Sequence, residues 1–358
     1  MKVIQLLPTL AFGDAVGNDT LALMQVISQM GYETGIYAES IDERIKSKNV
    51  KPAYKVPYMG PDDVLIYHMS IGSDLTYEIE NFKCRKIMIY HNVTPPEFLE
   101  DYNPFTGDAC RQGLKQVAYL SDKFDYCLAD SEFNKQDLIK MGYTCPIDVL
   151  PILIPFDDYK KAPSKRMLRR FDDDFTNILF TGRIAPNKKQ EDVIKTFYYY
   201  KKYFNPKSRL ILAGSYYGME NYYHSLKVFV ERLQVEDVYF TGQIKFNEIL
   251  ACYHLADVFL CMSEHEGFCV PLAEAMAFNI PIVAYDCAAI GGTLGGSGVL
   301  LKDKNPLEAA AMIHQIMTRP GLKEDVVYNE KLRLKDFEHD AIQAQFGKYL
   351  KAFIGEGK

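Results

Sequence analysis

Asn177-Ile178-Leu179-Phe180-Thr181-Gly182 is a short apolar run closed by glycine. Residues 209–214, 238–242, 258–262 and 281–285 repeat the pattern, with segments of helical spacing between them. Three of these five runs end in glycine, as strand-to-helix turns do where the backbone must pass close to something. Continuous apolar strands alternating with helices predict a parallel sheet covered on both faces. The same alternation fills the first part of the chain. Residues 3–7, 34–38, 63–68, 86–91 and 125–129 read as strands, and those at 63–68 and 86–91 end in His68 and His91. A helix with Leu21, Met24, Val26, Ile27 and Met30 apolar stops at Gly31, and another begins near Glu132 after Asp130-Ser131. Residues 156–175 are polar and charged, with Pro155 and Pro163 interrupting, and read as a linker whose basic cluster is a solvated helix, with contact to a phosphate as the alternative. A last helix near 340–353 places Ile342, Phe346, Tyr349, Leu350 and Phe353 on one face. The expected division is residues 1–160, residues 161–335, and a terminal helical segment over 336–358.

At roughly 150 residues per domain, the 358 residues suit two domains or one large one. The balance of 48% apolar and 25% charged residues excludes a disordered, collagen-like or coiled-coil chain. A net charge of −6 excludes nucleic-acid wrapping by bulk charge. Residues 1–155 carry 14 basic and 21 acidic side chains, so they offer no polybasic surface for anionic lipid, which counts against a peripheral-membrane contact. No run approaches the roughly 20 apolar residues of a membrane span. The opening residues are apolar but broken by Gln5 and Pro8, and read as a first buried strand rather than a signal peptide. None of the eight cysteines forms a C-x-x-C pair, so no zinc site is expected. Reduced thiols suit a cytoplasmic protein, with the inner face of the membrane as the alternative place.

Ligands of open α/β sheets bind at the carboxyl ends of the strands, so chemistry is sought in the strand-to-helix loops. In Ala11-Phe12-Gly13-Asp14-Ala15-Val16-Gly17-Asn18-Asp19, Asn18 or Asp19 is expected to cap the following helix, whose free N–H groups suit a phosphate. The glycine spacing is not that of a dinucleotide fingerprint. In Thr181-Gly182-Arg183-Ile184-Ala185-Pro186-Asn187-Lys188, a guanidinium and an ammonium stand near a helix start. Cations are unfavourable there, so their presence asks for an anion such as a diphosphate. The plainer alternative is two solvated cations. In the string 263–277, Pro271 is expected to open a helix with Glu274 in its first turn, Glu266 lies in the loop, and Gly267 lets a ligand approach the backbone. Two carboxylates there can accept from two sets of hydroxyls; alternatively Glu274 complements the helix dipole and Glu264 and Glu266 are solvated. The chain has no tryptophan, so any ring stacking would use tyrosines such as Tyr198-Tyr199-Tyr200 or Tyr216-Tyr217, which helix packing explains as easily.

Taken together, Glu266-Gly267-Phe268-Cys269-Val270-Pro271-Leu272-Ala273-Glu274 resembles the motif of two glutamates separated by seven residues in retaining glycosyltransferase family 4. Arg183 with Lys188 is similar to that family's arginine–lysine pair. The resemblance is strongest over residues 177–290. It implies the GT-B fold, two Rossmann-like parallel-sheet domains facing across a cleft, with the last helix returning to the first domain. It implies that Arg183 and Lys188 hold a donor diphosphate and that Glu274 binds the nucleotide's ribose. Glu266 would bind the transferred sugar, helped by backbone N–H groups of Gly267, Phe268 and Cys269, with the Gln243-Ile244 backbone near the base. In the first domain His91 resembles the family's active-site histidine and Gly17 its first-loop glycine; His68 has an equal claim by context alone. Cys269 departs from the usual glycine, and the usual paired glycines of the first loop are replaced by residues 13–17. The expected activity is retaining transfer of a hexose-type sugar from a nucleotide-diphosphate sugar to a hydroxyl of a glycan or lipid-linked acceptor. No metal or cofactor is expected, since Arg183, Lys188 and the helix start near Gly17 would carry the charge and no Asp-x-Asp cluster stands at a strand end. The alternatives are a nucleotide-sugar epimerase, a sugar phosphorylase, or a non-catalytic nucleotide-sugar-binding subunit.

Overall fold

A computed structural model describes residues 1–355; residues 356–358, the end of the expected terminal segment, lie outside the described residues. The chain divides into two units. The first comprises Met1–Pro96, Phe105–Pro155 and Asp336–Lys358, and the second Glu97–Pro104 and Phe156–Lys335.

The first unit contains β1 (Lys2–Leu10), β2 (Glu33–Ile41), β3 (Val50–Pro52), β4 (Val64–Met69), β5 (Arg85–Tyr90), β6 (Tyr126–Ala129) and β7 (Ile147–Val149). They form one sheet in the order β3-β2-β1-β4-β5-β6-β7, parallel throughout. The central strands are buried along almost their whole length, as continuous apolar runs require when both faces are covered. The short edge strands β3 and β7 are additions to the sequence reading: three residues with mixed polarity leave no periodic signal. The helix His339–Ile354 packs Ile342, Phe346 and Leu350 among Val3, Leu23, Ile27, Ile66 and Ile89. Arg85 fixes its end, donating to the Phe353 carbonyl and lying 4.2 Å over the Phe353 ring.

The second unit contains β8 (Thr176–Thr181), β9 (Ser208–Ala213), β10 (Val238–Gly242), β11 (Val258–Cys261), β12 (Ile282–Tyr285) and β13 (Val299–Leu301). Their order is β10-β9-β8-β11-β12-β13, again parallel, with β13 a three-residue edge strand without a sequence signal. In both sheets the order reverses beside the first strand, which places a binding crevice at the carboxyl ends of β1 and β4 in one and of β8 and β11 in the other. The expected linker is instead packed structure. Ser164 caps the helix Lys165–Arg170, its N–H bonds the Asn247 carbonyl at 2.8 Å, and the Arg170 guanidinium lies 5.6 Å from the Tyr239 ring centre. No described helix is long and apolar enough to cross a membrane.

Glu330 is fully buried beneath this second sheet. Its Oε1 accepts from the Ile282 N–H at 2.9 Å, and its Oε2 has no partner among the described residues. Burial pushes its pKa up to about 8 against the opposing Ile282 hydrogen bond. The folded chain therefore holds a proton that the unfolded chain releases above about pH 4.3, so this carboxyl makes stability fall as pH rises toward 8. Glu330→Gln mimics the protonated form. The parent's stability should fall between pH 5 and 8 relative to the variant's by on the order of a few kcal/mol, read as a drop in melting temperature. Parallel melting curves across that range would show the carboxyl to be ionised in the fold.

Candidate active site

The loop after β8 is built on a close backbone crossing. Gly182 has φ +137°, and a Cβ on Gly214, which follows β9, would lie 1.8 Å from the Gly182 carbonyl oxygen. Only glycine lets the two backbones pass, which is the physical content of the strand-end glycines seen in the sequence. Gly214→Ala must displace the Gly182–Arg183 peptide. It should cost about 1–3 kcal/mol or more by overpacking, read as a lowered melting temperature together with weakened ligand binding. Beyond the crossing, the Ile184 N–H bonds the Ser215 carbonyl, and the turn Pro186–Lys188 leads through Lys189 (φ +50°) into the helix Gln190–Tyr203.

Arg183 and Lys188 leave this loop toward different partners. The Arg183 guanidinium is exposed, donates to the Tyr217 carbonyl at 3.2 Å, and passes beside Gly218. The Lys188 ammonium reaches the Glu266 carboxylate, Nζ to Oε2 at 2.5 Å. Burial opposes the charge on Lys188, yet Glu266 beside it, with Cys269 and Cys261 nearby, outweighs burial and holds its pKa above the ordinary lysine value. Asn187 ties the two loops together, accepting from the Glu264 N–H at 2.8 Å and donating to the His265 carbonyl at 3.1 Å.

The three glutamates of the 263–277 string have distinct surroundings. Glu264 pairs with Lys189 at 3.2 Å and Lys304 at 2.8 Å, and these cations hold its pKa below the ordinary value despite partial burial. Glu266 is 7% exposed and is the Lys188 partner. Glu274 accepts from two tyrosine hydroxyls, Tyr159 on one oxygen and Tyr253 on the other. Burial raises the Glu274 pKa, and the two tyrosine hydrogen bonds oppose that rise. Tyr253 in turn shares a 2.6 Å hydrogen bond with Thr181 at the end of β8 and stacks on Phe278 at 4.9 Å. Tyr159 and Tyr253 were not visible in the sequence reading, because they lie 115 and 21 residues from the carboxylate they bind.

One local expectation is corrected. The helix of the motif runs Val270–Ala277, with no acidic residue in its first turn, so Glu274 lies just past that turn, one position deeper than Pro271 as a first residue implied. Cys269 precedes it with φ +72°, a conformation glycine adopts freely and a residue with a side chain adopts at a cost of about 1–2 kcal/mol. The thiols of Cys261 and Cys269 and the Glu266 carboxylate place ligand-capable atoms within 4.8 Å of one another, a grouping that could gather a metal ion, although Lys188 already supplies positive charge there. Phe268 is buried and its carbonyl accepts from Thr293 at 2.5 Å, while Gly267 lies between it and Glu266. Gln243 is exposed and Ile244 half-buried just after β10. The Asp172-Asp173-Asp174 run precedes β8 and pairs Asp173 with Arg209 and Asp174 with Lys207, so it lies at the wrong end of its strand for a ligand in the crevice.

Eight residues from the first part of the chain belong to this unit. Tyr102 packs edge-on to Tyr222 at 5.1 Å, Asn103 donates to the Gly218 carbonyl at 2.7 Å, and Phe98 lies 6.2 Å from His265.

In the first unit the helix cap is Asp14, not Asn18 or Asp19. The helix begins at Ala15, and Asp14 Oδ1 accepts from the Gly17 N–H at 2.6 Å. Gly17 is thus inside the first turn, where a Cβ would meet the Ala11 carbonyl oxygen at 2.4 Å. Asp19 is buried instead, accepting from the Leu153 N–H at 2.8 Å. His91 and His68, the ends of adjacent strand segments, are joined: Nδ1 of His68 and Nε2 of His91 are 2.9 Å apart, and Nδ1 of His91 lies 2.9 Å from Asp130 Oδ2.

Residues 164–333 match the family model described as Glycosyl transferases group 1. An uncharacterized glycosyltransferase of Methanocaldococcus jannaschii is 27% identical over 60% of this chain and 55% of its own length. The O-antigen chain mannosyltransferase B of Escherichia coli is 24% identical over 80% of this chain and 72% of its own. The chain thus spans just over half the length of the first of these relatives. Among solved structures, Anabaena HepE in complex with UDP-glucose superposes with a TM-score of 0.75 at 16% identity, covering 98% of this chain and 100% of that one. Residues 164–333 thus resemble the glycosyl transferases group 1 family, and the chain has the GT-B fold.

Proposed function

We propose that this protein is a retaining glycosyltransferase that moves a hexose-type sugar from a nucleotide-diphosphate donor to a hydroxyl of a glycan or lipid-linked acceptor. The observation that carries the reading is the Lys188–Glu266 contact at the carboxyl ends of β8 and β11, with Glu274 on the helix that follows. An ammonium held beside a carboxylate suits a donor that brings both a diphosphate and sugar hydroxyls to one place. Lys188 and Arg183 neutralise charge developing on the departing diphosphate. Glu266 accepts sugar hydroxyls and Glu274 accepts ribose hydroxyls. No side chain is assigned as a nucleophile: the acceptor hydroxyl attacks from the side the diphosphate leaves, its proton passes to the leaving phosphate oxygen, and the anomeric configuration is kept. His91 acts on the reacting groups only indirectly, through its ring contacts with His68 and Asp130.

The names of relatives favour mannose and glucose donors as the first to be tried. Calorimetric titration with a panel of nucleotide-diphosphate sugars should find one that binds, and its free nucleoside diphosphate should bind as well. Incubation of that donor without acceptor should leave its sugar unepimerised. An epimerised product, or release of sugar phosphate with inorganic phosphate as acceptor, would replace the transferase reading. Binding without turnover across acceptors would point to a non-catalytic subunit.

A further inference from the structure

We propose that Gln5, His68, His91 and Asp130 form a hydrogen-bond chain of fixed direction that retains one proton beyond a neutral imidazole pair and a carboxylate, which makes His91 a positioning residue and not a proton acceptor. This rests on the transferase reading only for the role of His91; the proton count stands on the geometry.

The direction is set at the far end of the chain. The Gln5 amide nitrogen donates to the Thr20 carbonyl at 3.0 Å, so the amide cannot flip without aiming one oxygen at another. Its Oε1 therefore faces His68 Nε2, 2.9 Å away, and that nitrogen must carry hydrogen. At the other end, the 2.9 Å contact between His91 Nδ1 and Asp130 Oδ2 needs a hydrogen of its own. If each histidine were neutral with only those hydrogens, His68 Nδ1 and His91 Nε2 would turn lone pairs toward each other at 2.9 Å. All four side chains are buried, so water is a poor remedy. One more proton between the rings removes the conflict.

That proton belongs to His91 more than to His68. Asp130 stands directly on His91, and its second oxygen has no other partner among the described residues, so this contact is the carboxylate's compensation for burial. Asp19 and Asp14 also favour the extra proton on His91 when they are ionised, although burial raises their own pKa values, that of Asp19 to about 7. Burial works against a charged His91, but those carboxylates outweigh it and its pKa is raised. Burial first, then the neighbouring His91, drives the His68 pKa well below the ordinary value and leaves His68 neutral.

A metal ion between the rings is a poorer fit, although Asp19, His68 and His91 bring atoms within 4.8 Å of one another. The ring planes differ by 3° and the centres are 5.2 Å apart with the facing nitrogens at 2.9 Å, so the rings lie edge to edge in one plane. That is the line of an N–H···N bond. Two zinc–nitrogen bonds of about 2.0–2.1 Å at a tetrahedral angle would hold the nitrogens roughly 3.3 Å apart and bend the pair. With its Nε2 hydrogen directed at His68 and its Nδ1 engaged by Asp130, His91 has no lone pair for an acceptor hydroxyl's proton.

The full chain labelled with ¹⁵N-histidine, followed by long-range proton–nitrogen NMR from pH 5.5 to 8.5, reads the count directly; His68→Asn and His91→Asn assign the signals among the seven histidines. The expected spectrum shows His68 as a neutral ring with hydrogen on Nε2 and His91 with hydrogen on Nε2, neither titrating across the range. Asp130→Asn should release the extra proton and bring a histidine titration into the range near pH 6–7, whereas Asp130→Glu should not. In turnover assays the parent's kcat should show no histidine step over pH 6–8. The proposal is overturned by a parent His91 that titrates near pH 6.5, by one whose Nε2 lacks hydrogen at pH 7, or by signals that shift with chelator and return with zinc. The expected spectrum in a protein that turns over no nucleotide sugar would overturn the transferase reading and leave the chain intact.

Discussion

Lys188→Ala is expected to lower kcat for sugar transfer about 10²–10³-fold, the range for removing one preorganised partner of developing negative charge, about 2.7–4 kcal/mol. The same change strands Glu266, whose carboxylate sits 2.5 Å from the lysine and is largely shielded from water. Breaking such a pair from one side costs about 3–5 kcal/mol of stability. Lost activity alone would then be ambiguous. The double variant Lys188→Met with Glu266→Gln removes both charges at similar volume and should recover most of the melting temperature without recovering turnover. If the double variant regained activity with stability, the pair would be structural and neither Lys188 nor Glu266 would serve turnover.

The second large effect concerns the donor's affinity. Glu274→Gln should raise the donor KM about ten-fold to a hundred-fold, since a hydrogen bond to a charged acceptor is worth about 1.5–3 kcal/mol, with kcat less affected. The carboxylate is already engaged by Tyr159 and Tyr253, so a ribose must share its oxygens or displace a hydroxyl. Tyr159→Phe leaves Glu274 charged and frees one oxygen, and should lower the donor KM. Because burial raises the Glu274 pKa, donor binding should weaken as pH falls and the carboxyl protonates, and this step should vanish in Glu274→Gln. A donor KM unchanged by Glu274→Gln would remove this carboxylate from the binding reading.

The two variants mark where the sequence was legible and where it was not. Strands β1, β4, β5, β8, β9 and β11 announce themselves because a strand buried on both faces must be apolar at every position, and nothing else in a globular chain of mixed polarity looks the same. The glycines at 182 and 214 carry a signal for a backbone reason: a crossing excludes every side chain at Gly214, and Gly182 holds a φ of +137°. Which of Glu264, Glu266 and Glu274 meets a cation could not be read, since their partners Lys304, Lys188 and Tyr159 are set by how strands order, not by spacing along the chain. Asp14 lost to Asn18 and Asp19 as the expected cap because cap chemistry allows all three and only the backbone chooses. His68 and His91 offered a signal that went unused. Two strands each ending in histidine, if adjacent and parallel, bring the rings into contact, and the register of His68 opposite Ile89 does so.

Residues Glu97–Pro104 bear on how such a protein can be recombined. This short excursion supplies Tyr102 against Tyr222 and Asn103 on the Gly218 carbonyl, beside the peptide that the Arg183 guanidinium passes. A hybrid joined at Pro155 would therefore inherit a later half whose surface was fitted to another parent's eight-residue insert. Junctions that carry residues 97–104 along with the later half keep that fit, so the heritable module is discontinuous, and exchanging it between relatives calls for two grafts instead of one.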